Sequence, residues 1–138
     1  MVEPKPTVFV TDDDPAVRKS LLRALGSAGL AAESFASGRE FLDGYDPGRP
    51  GCLLLDLRMP GMSGLDVQDE LAAKQIPIPV IFITGHGDVP LAVRALRAGA
   101  VDFIEKPYKL QNLLDRIDEA LALDRQARDR PKDEKGTD

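Results

Sequence analysis

Along this chain, short apolar runs alternate with segments whose apolar positions recur every three or four residues. VFVT (8–11), AAESF (31–35), CLLLD (52–56), PVIFIT (79–84) and VDFIE (101–105) have the length and composition of strands. Between and after them lie helical patterns. The first starts at Pro15, sets Val17, Leu21, Ala24, Leu25 and Ala28 on one face, and ends near Gly29. A short second helix is predicted from about Gly38 to Asp43 with Ser37 as its cap. A third follows Ser63 and uses Leu65 and Leu71, and a fourth follows Asp88 and Pro90 and stops at Gly99. The fifth sets Leu110, Leu113, Leu114, Ile117, Ala120 and Leu121 at i, i+3, i+4, i+7 spacing.

Strand–helix alternation of this kind predicts an α/β fold, a parallel sheet with helices on both faces. The continuous apolar runs CLLL and VIFI suit central strands, whereas the more polar AAESF suits an edge. Ligand sites in such sheets lie beyond the carboxyl ends of the strands. From about Asp124, DRQARDRPKDEKGTD loses its apolar positions, which predicts a frayed helix end and a solvated tail.

Composition narrows the class. A chain of 138 residues is most simply one domain. Its net charge of −5 gives no reason to expect direct nucleic-acid or membrane-surface binding. No apolar run reaches membrane-spanning length, and MVEPKPT lacks the apolar core of a signal peptide, so a cytoplasmic location is expected. The single cysteine, Cys52, opens an apolar run and reads as a core residue.

The chemistry gathers at the strand ends: Thr11-Asp12-Asp13-Asp14 after the first, Asp56 at the third, Thr84 at the fourth, and Glu105-Lys106-Pro107 at the fifth. Neighbouring carboxylates repel unless a cation offsets them. A hard, partly hydrated divalent ion with oxygen ligands, Mg²⁺ first, suits such a group. With one histidine in the chain, an imidazole-rich zinc site is disfavoured. A carboxylate can also attack phosphorus to give an acyl phosphate, a reaction that needs positioning and charge neutralisation. Asp56 can attack, Asp12 and Asp13 can hold Mg²⁺, and Lys106 and Thr84 can supply a cation and a donor. Asp14, immediately before Pro15, suits a helix cap.

TDDDPAVRKSL, LLLDLRMPGMSGLD and VIFITGHGDVPLAVRALRAGAVDFIEKPY together resemble the receiver domain of two-component response regulators, and ITGHGDVP with AVRALRAGAVDFIEKP resembles the FixJ-type receivers. The resemblance implies a flavodoxin-like sheet of strand order 2-1-3-4-5 with five helices, a receiver over residues 7–122, and a charged tail or linker at 123–138. It also implies Asp56 as phosphoacceptor and Asp12, Asp13 and the backbone carbonyl of Arg58 as further Mg²⁺ ligands. Lys106 and Thr84 would contact the phosphoryl group, Phe103 would switch inward with Thr84, and the Lys106–Pro107 peptide would be cis. The implied partner is a sensor histidine kinase. The fourth helix, fifth strand and fifth helix would carry a phosphorylation-dependent homodimer face including Val89, Leu91, Ala95 and Val101, or would engage an output partner. No conventional enzyme activity is implied beyond the chain's own phosphotransfer and dephosphorylation.

Two other readings compete. A phosphohydrolase of the haloacid-dehalogenase type wants a second aspartate two positions after the nucleophile, where this chain has Arg58. A phosphorylation-independent docking module would not need the complete set of site residues. His86, between Gly85 and Gly87, reads as a loop residue beside the site and not as a catalytic one.

Overall fold

The structure, a computed structural model, describes residues 5–85 and 87–129. Five strands and five helices alternate as β1 (Thr7–Thr11), α1 (Pro15–Ser27), β2 (Ala31–Phe35), α2 (Gly38–Gly44), β3 (Gly51–Asp56), α3 (Gly64–Ala73), β4 (Val80–Thr84), α4 (Val89–Arg97), β5 (Asp102–Glu105) and α5 (Leu110–Arg128). The strands form one parallel sheet in the order β2-β1-β3-β4-β5. This is the flavodoxin-like arrangement expected from the sequence.

Because alternate strand residues face opposite sides, each central strand feeds two cores. Phe9, Leu53, Leu55 and Phe82 pack with Phe41, Val67, Leu71 and Ala95 from α2, α3 and α4. Val8, Val10, Leu54, Ile81 and Ile83 pack with Leu21, Leu25, Leu113, Ile117 and Ala120 from α1 and α5. Cys52 lies fully buried in this second core, and burial pushes its thiol up to about 12, leaving it an apolar filler. β2 is the more exposed edge strand.

Local chemistry sets the helix ends. Pro15 opens α1, and Asp14 accepts the N–H of Ala16 at 2.9 Å as its cap. Gly29 beyond it has φ +82°, a conformation that glycine adopts without strain. Ser37 caps α2 by accepting the Glu40 N–H at 3.0 Å. Ser63 and Asp66 form a reciprocal capping box at α3.

Three sequence expectations need correction. Ala28 is exposed at the cap position after α1, and Leu110 is exposed as the first residue of α5. α5 also runs without interruption to Arg128. Asp124, which opens the segment read as solvated, is buried and accepts hydrogen bonds from the Gly51 N–H and Arg128 Nε. A boundary at residue 122 therefore falls inside this helix. Residues 130–138 of the expected tail lie outside the described residues.

Candidate functional site

Parallel pairing brings the carboxyl ends of the central strands to one edge. Thr11 lies opposite Leu55, Asp56 opposite Ile83, and Thr84 opposite Glu105. The residues following β1 and the last residue of β3 thus share a crevice. One carboxylate oxygen from each of Asp12, Asp13 and Asp56 lies within 4.8 Å of the others.

The three acids differ in setting. Asp12 is 2 % exposed, Asp56 half-buried and Asp13 exposed. Asp12 Oδ1 accepts the Asp14 N–H at 2.9 Å, whereas its buried Oδ2 has no hydrogen-bond partner. Burial raises the Asp12 carboxyl above its usual range, against the pull of the Asp14 N–H and of Lys106. Burial, then the Asp12 charge, push Asp56 up to about 6, while Lys106 and the Arg58 N–H act in the opposite direction. Three clustered carboxylates, one of them with a buried oxygen that has no partner, are the donor set a hard divalent cation takes, so these residues fit Mg²⁺.

The loop after β3 presents Asp56. The Arg58 N–H donates to Asp56 Oδ1 at 3.4 Å, and the Gly64 N–H closes the loop on the Leu57 carbonyl at 3.0 Å. Gly64 sits so close to β3 that a Cβ there would stand 2.5 Å from the Asp56 carbonyl oxygen and 2.9 Å from Phe82. Only glycine lets α3 start against the strand that carries Asp56.

The other sequence-selected residues fall into three groups. Lys106 is half-buried, and its charge bears on both Asp12 and Asp56. Thr84 is fully buried at the end of β4, its hydroxyl donating to the Gly85 carbonyl at 3.3 Å, and the Lys106–Pro107 peptide is cis. Phe103 is half-buried against the core of α2, α3 and α4. Of the expected surface residues, Val89 is exposed and Leu91 and Val101 are half-buried, but Ala95 is fully buried. Ala95 faces the sheet with Ala92, and its carbonyl accepts Gln68 Nε2 at 2.9 Å. The helical period instead puts Val93 beside Val89 on the exposed side. His86 lies outside the described residues.

Two residues escaped sequence reading. Tyr108 is half-buried near Asp12, whose charge, after burial, raises the phenol. Its position directly after Lys106-Pro107 was the available signal. Asp88 is nearly buried and accepts Arg58 Nε at 2.8 Å on each carboxylate oxygen. Thirty positions separate the pair, so no local spacing announces it.

Comparison with known proteins places this geometry. Residues 8–118 match the response regulator receiver domain family, and the chain belongs to it. The chain is 50 % identical over 125 residues to nodulation protein W of Bradyrhizobium diazoefficiens, covering 91 % of this chain and 55 % of that protein. It is 44 % identical over 114 residues to the transcriptional regulatory protein FixJ of the same organism, covering 83 % of this chain and 56 % of the relative. The chain therefore spans about half the length of these relatives. Among solved structures, FixJ-N superposes with a TM-score of 0.80 at 45 % identity, covering 88 % of this chain and 96 % of that one. The response regulator StyR gives 0.85 at 50 % identity, covering 90 % and 63 %. The class is one of phosphorylation-activated signalling modules and not of conventional enzymes.

Proposed function

We propose that Asp56 accepts a phosphoryl group from a sensor histidine kinase and that the resulting acyl phosphate switches the surface around α4, β5 and α5. The observation that carries this is the crevice itself. Asp56 ends a central strand within 4.8 Å of two further acids, one of which holds a buried oxygen without a partner.

In the transfer, an Asp56 oxygen forms the new O–P bond as the P–N bond to the donor imidazole breaks, and the imidazole keeps the bonding pair. Lys106 offsets the charge on the phosphoryl oxygens, and the Thr84 hydroxyl and Arg58 N–H would supply hydrogen-bond donors to them. Asp12, Asp13, Asp56 and the backbone carbonyl of Arg58 would hold Mg²⁺, which when bound neutralises charge on the transferring group.

The new dianion draws the Thr84 hydroxyl toward Asp56, and the space it leaves admits Phe103. The exposed side of α4, with Val89 and Val93 each 38 % exposed, then supports a phosphorylation-dependent homodimer or an output partner, with Leu91 and Val101 at its border. No helix among the described residues is long and apolar enough to cross a membrane.

Incubation with a small acyl phosphate and Mg²⁺, followed by intact-mass analysis, tests the proposal. One added phosphoryl group per chain, absent from Asp56→Asn, is expected. No adduct, or one that survives the substitution, contradicts it.

A further inference from the structure

Asp88 occupies the N-cap position of α4, yet its side chain makes no capping hydrogen bond. Both of its oxygens are taken by Arg58: Nε at 2.8 Å from each, and a terminal guanidinium nitrogen 2.7 Å from Oδ1. Its backbone, at φ −98° and ψ 12°, also lies outside the extended range in which Asp14, Ser37 and Ser63 cap their helices, so a cap here requires Asp88 to swing to extended ψ as Arg58 lets go. Pro90 follows in the first turn and has no N–H to offer. Leu91 therefore carries the first-turn amide that a capping Asp88 would satisfy.

The guanidinium has an alternative of its own. The Arg58 nitrogen lies 3.4 Å from Asp56 Oδ1, and with an N–Cα bond of about 1.46 Å the arginine side chain departs within about 5 Å of that oxygen. Its side chain is also largely exposed, so it can turn without breaking packing. A phosphoryl group on Asp56 would offer nearly two negative charges on three acceptor oxygens, against one charge on Asp88.

We infer that Asp88 has two partners: Arg58 in the structure described, and the Leu91 N–H once a phosphoryl group on Asp56 draws the guanidinium away. Arg58 is then a positioning residue for the phosphoryl group, and Asp88 conveys its arrival to the first turn of α4. The trigger rests on Asp56 as phosphoacceptor. The exchange of partners does not, since removing the arginine also releases Asp88.

Amide hydrogen exchange at Leu91, followed by NMR, tests this. In unphosphorylated Arg58→Ala, exchange at Leu91 slows about fivefold, the effect of an ordinary cap. Asp88→Asn gives the same slowing, because asparagine caps a helix but cannot ion-pair with Arg58. Asp88→Ala, which can do neither, does not slow it. Unchanged exchange in Arg58→Ala, or equal slowing in Asp88→Ala, overturns the partner exchange. In the wild type, treatment with an acyl phosphate and Mg²⁺ slows Leu91 as Arg58→Ala does, and a phosphoryl adduct without that slowing overturns the coupling. Absence of any adduct overturns the phosphoacceptor reading and its trigger, while the unphosphorylated variants still decide the exchange.

Discussion

Asp124 Oδ2 accepts the backbone N–H of Gly51 at 2.9 Å, tying the C-terminal part of α5 to the first residue of β3. The same oxygen accepts Arg128 Nε at 2.8 Å, and Arg128 donates to the carbonyls of Pro47, Gly48 and Arg49. The Gly51 amide is buried at the start of β3, so losing the carboxylate exposes its desolvation cost. Asp124→Ala should destabilise the fold by about 1–3 kcal/mol in urea unfolding. The crevice at the other end of the sheet should keep its reactivity in the folded variant.

Gly64 offers a steric test of how the site is presented. Its missing Cβ would meet the Asp56 carbonyl oxygen and the Leu57 Cα, both backbone atoms that cannot rotate aside. Gly64→Ala should cost about 1–3 kcal/mol and slow phosphoryl uptake at Asp56. Gly26→Ala, where nothing lies within 4 Å of the added methyl, should do neither. Thermal melts and phosphorylation time courses on the two variants make the comparison.

Asp56 makes stability depend on pH in a definite direction. Its carboxyl is raised from 3.8 to about 6 on folding, so the folded state holds the proton more tightly than the unfolded chain. Stability from this group is present below the unfolded value and lost as pH rises through about 4 to 6. The gap between the two values corresponds to at most ~3 kcal/mol, and partial solvent access reduces it to about 1–2 kcal/mol. Without divalent cations, Asp56→Asn should therefore be more stable than the wild type at neutral pH, with the difference vanishing near pH 4. Asp12, raised in the same direction, leaves a smaller slope in the variant. Added Mg²⁺ should reverse the order. Denaturant unfolding across this pH range measures all three.

The surface of α4 divides cleanly between Val89 and Ala95. Val89 is 38 % exposed, so Val89→Asp should leave the fold intact and abolish any phosphorylation-dependent gain in dimer. Ala95 is fully buried beneath the same helix, so Ala95→Asp should destabilise the protein by several kcal/mol, since an unpaired charge enters the core. Sedimentation with and without phosphodonor, paired with thermal melts, separates loss of dimer from loss of fold. A Val89→Asp chain that still gains dimer would exclude that face.

These contrasts show what could be read from the residues alone. Strand identity was legible because VFVT, CLLL and VIFI are apolar on both faces, and the acidic cluster because Asp12 and Asp13 follow one predicted strand and Asp56 ends another. Ala95 was not legible as core: VPLAVRALR is apolar on more than one face, and only docking on the sheet selects Ala92 and Ala95. Asp124 sits in a charge-rich stretch where one buried carboxylate looks like its solvated neighbours. The Arg58–Asp88 pair spans two loops that only strand order makes adjacent.

The central claim is that Asp56, and no other acid in the crevice, becomes the acyl phosphate. Borohydride reduction after treatment with a small acyl phosphate and Mg²⁺ converts an acyl phosphate to the alcohol while leaving free carboxylates intact. Peptide sequencing by mass spectrometry should then find homoserine at position 56, with Asp12 and Asp13 unchanged. Homoserine at position 12 or 13, or an unaltered Asp56 in phosphorylated protein, would contradict the account.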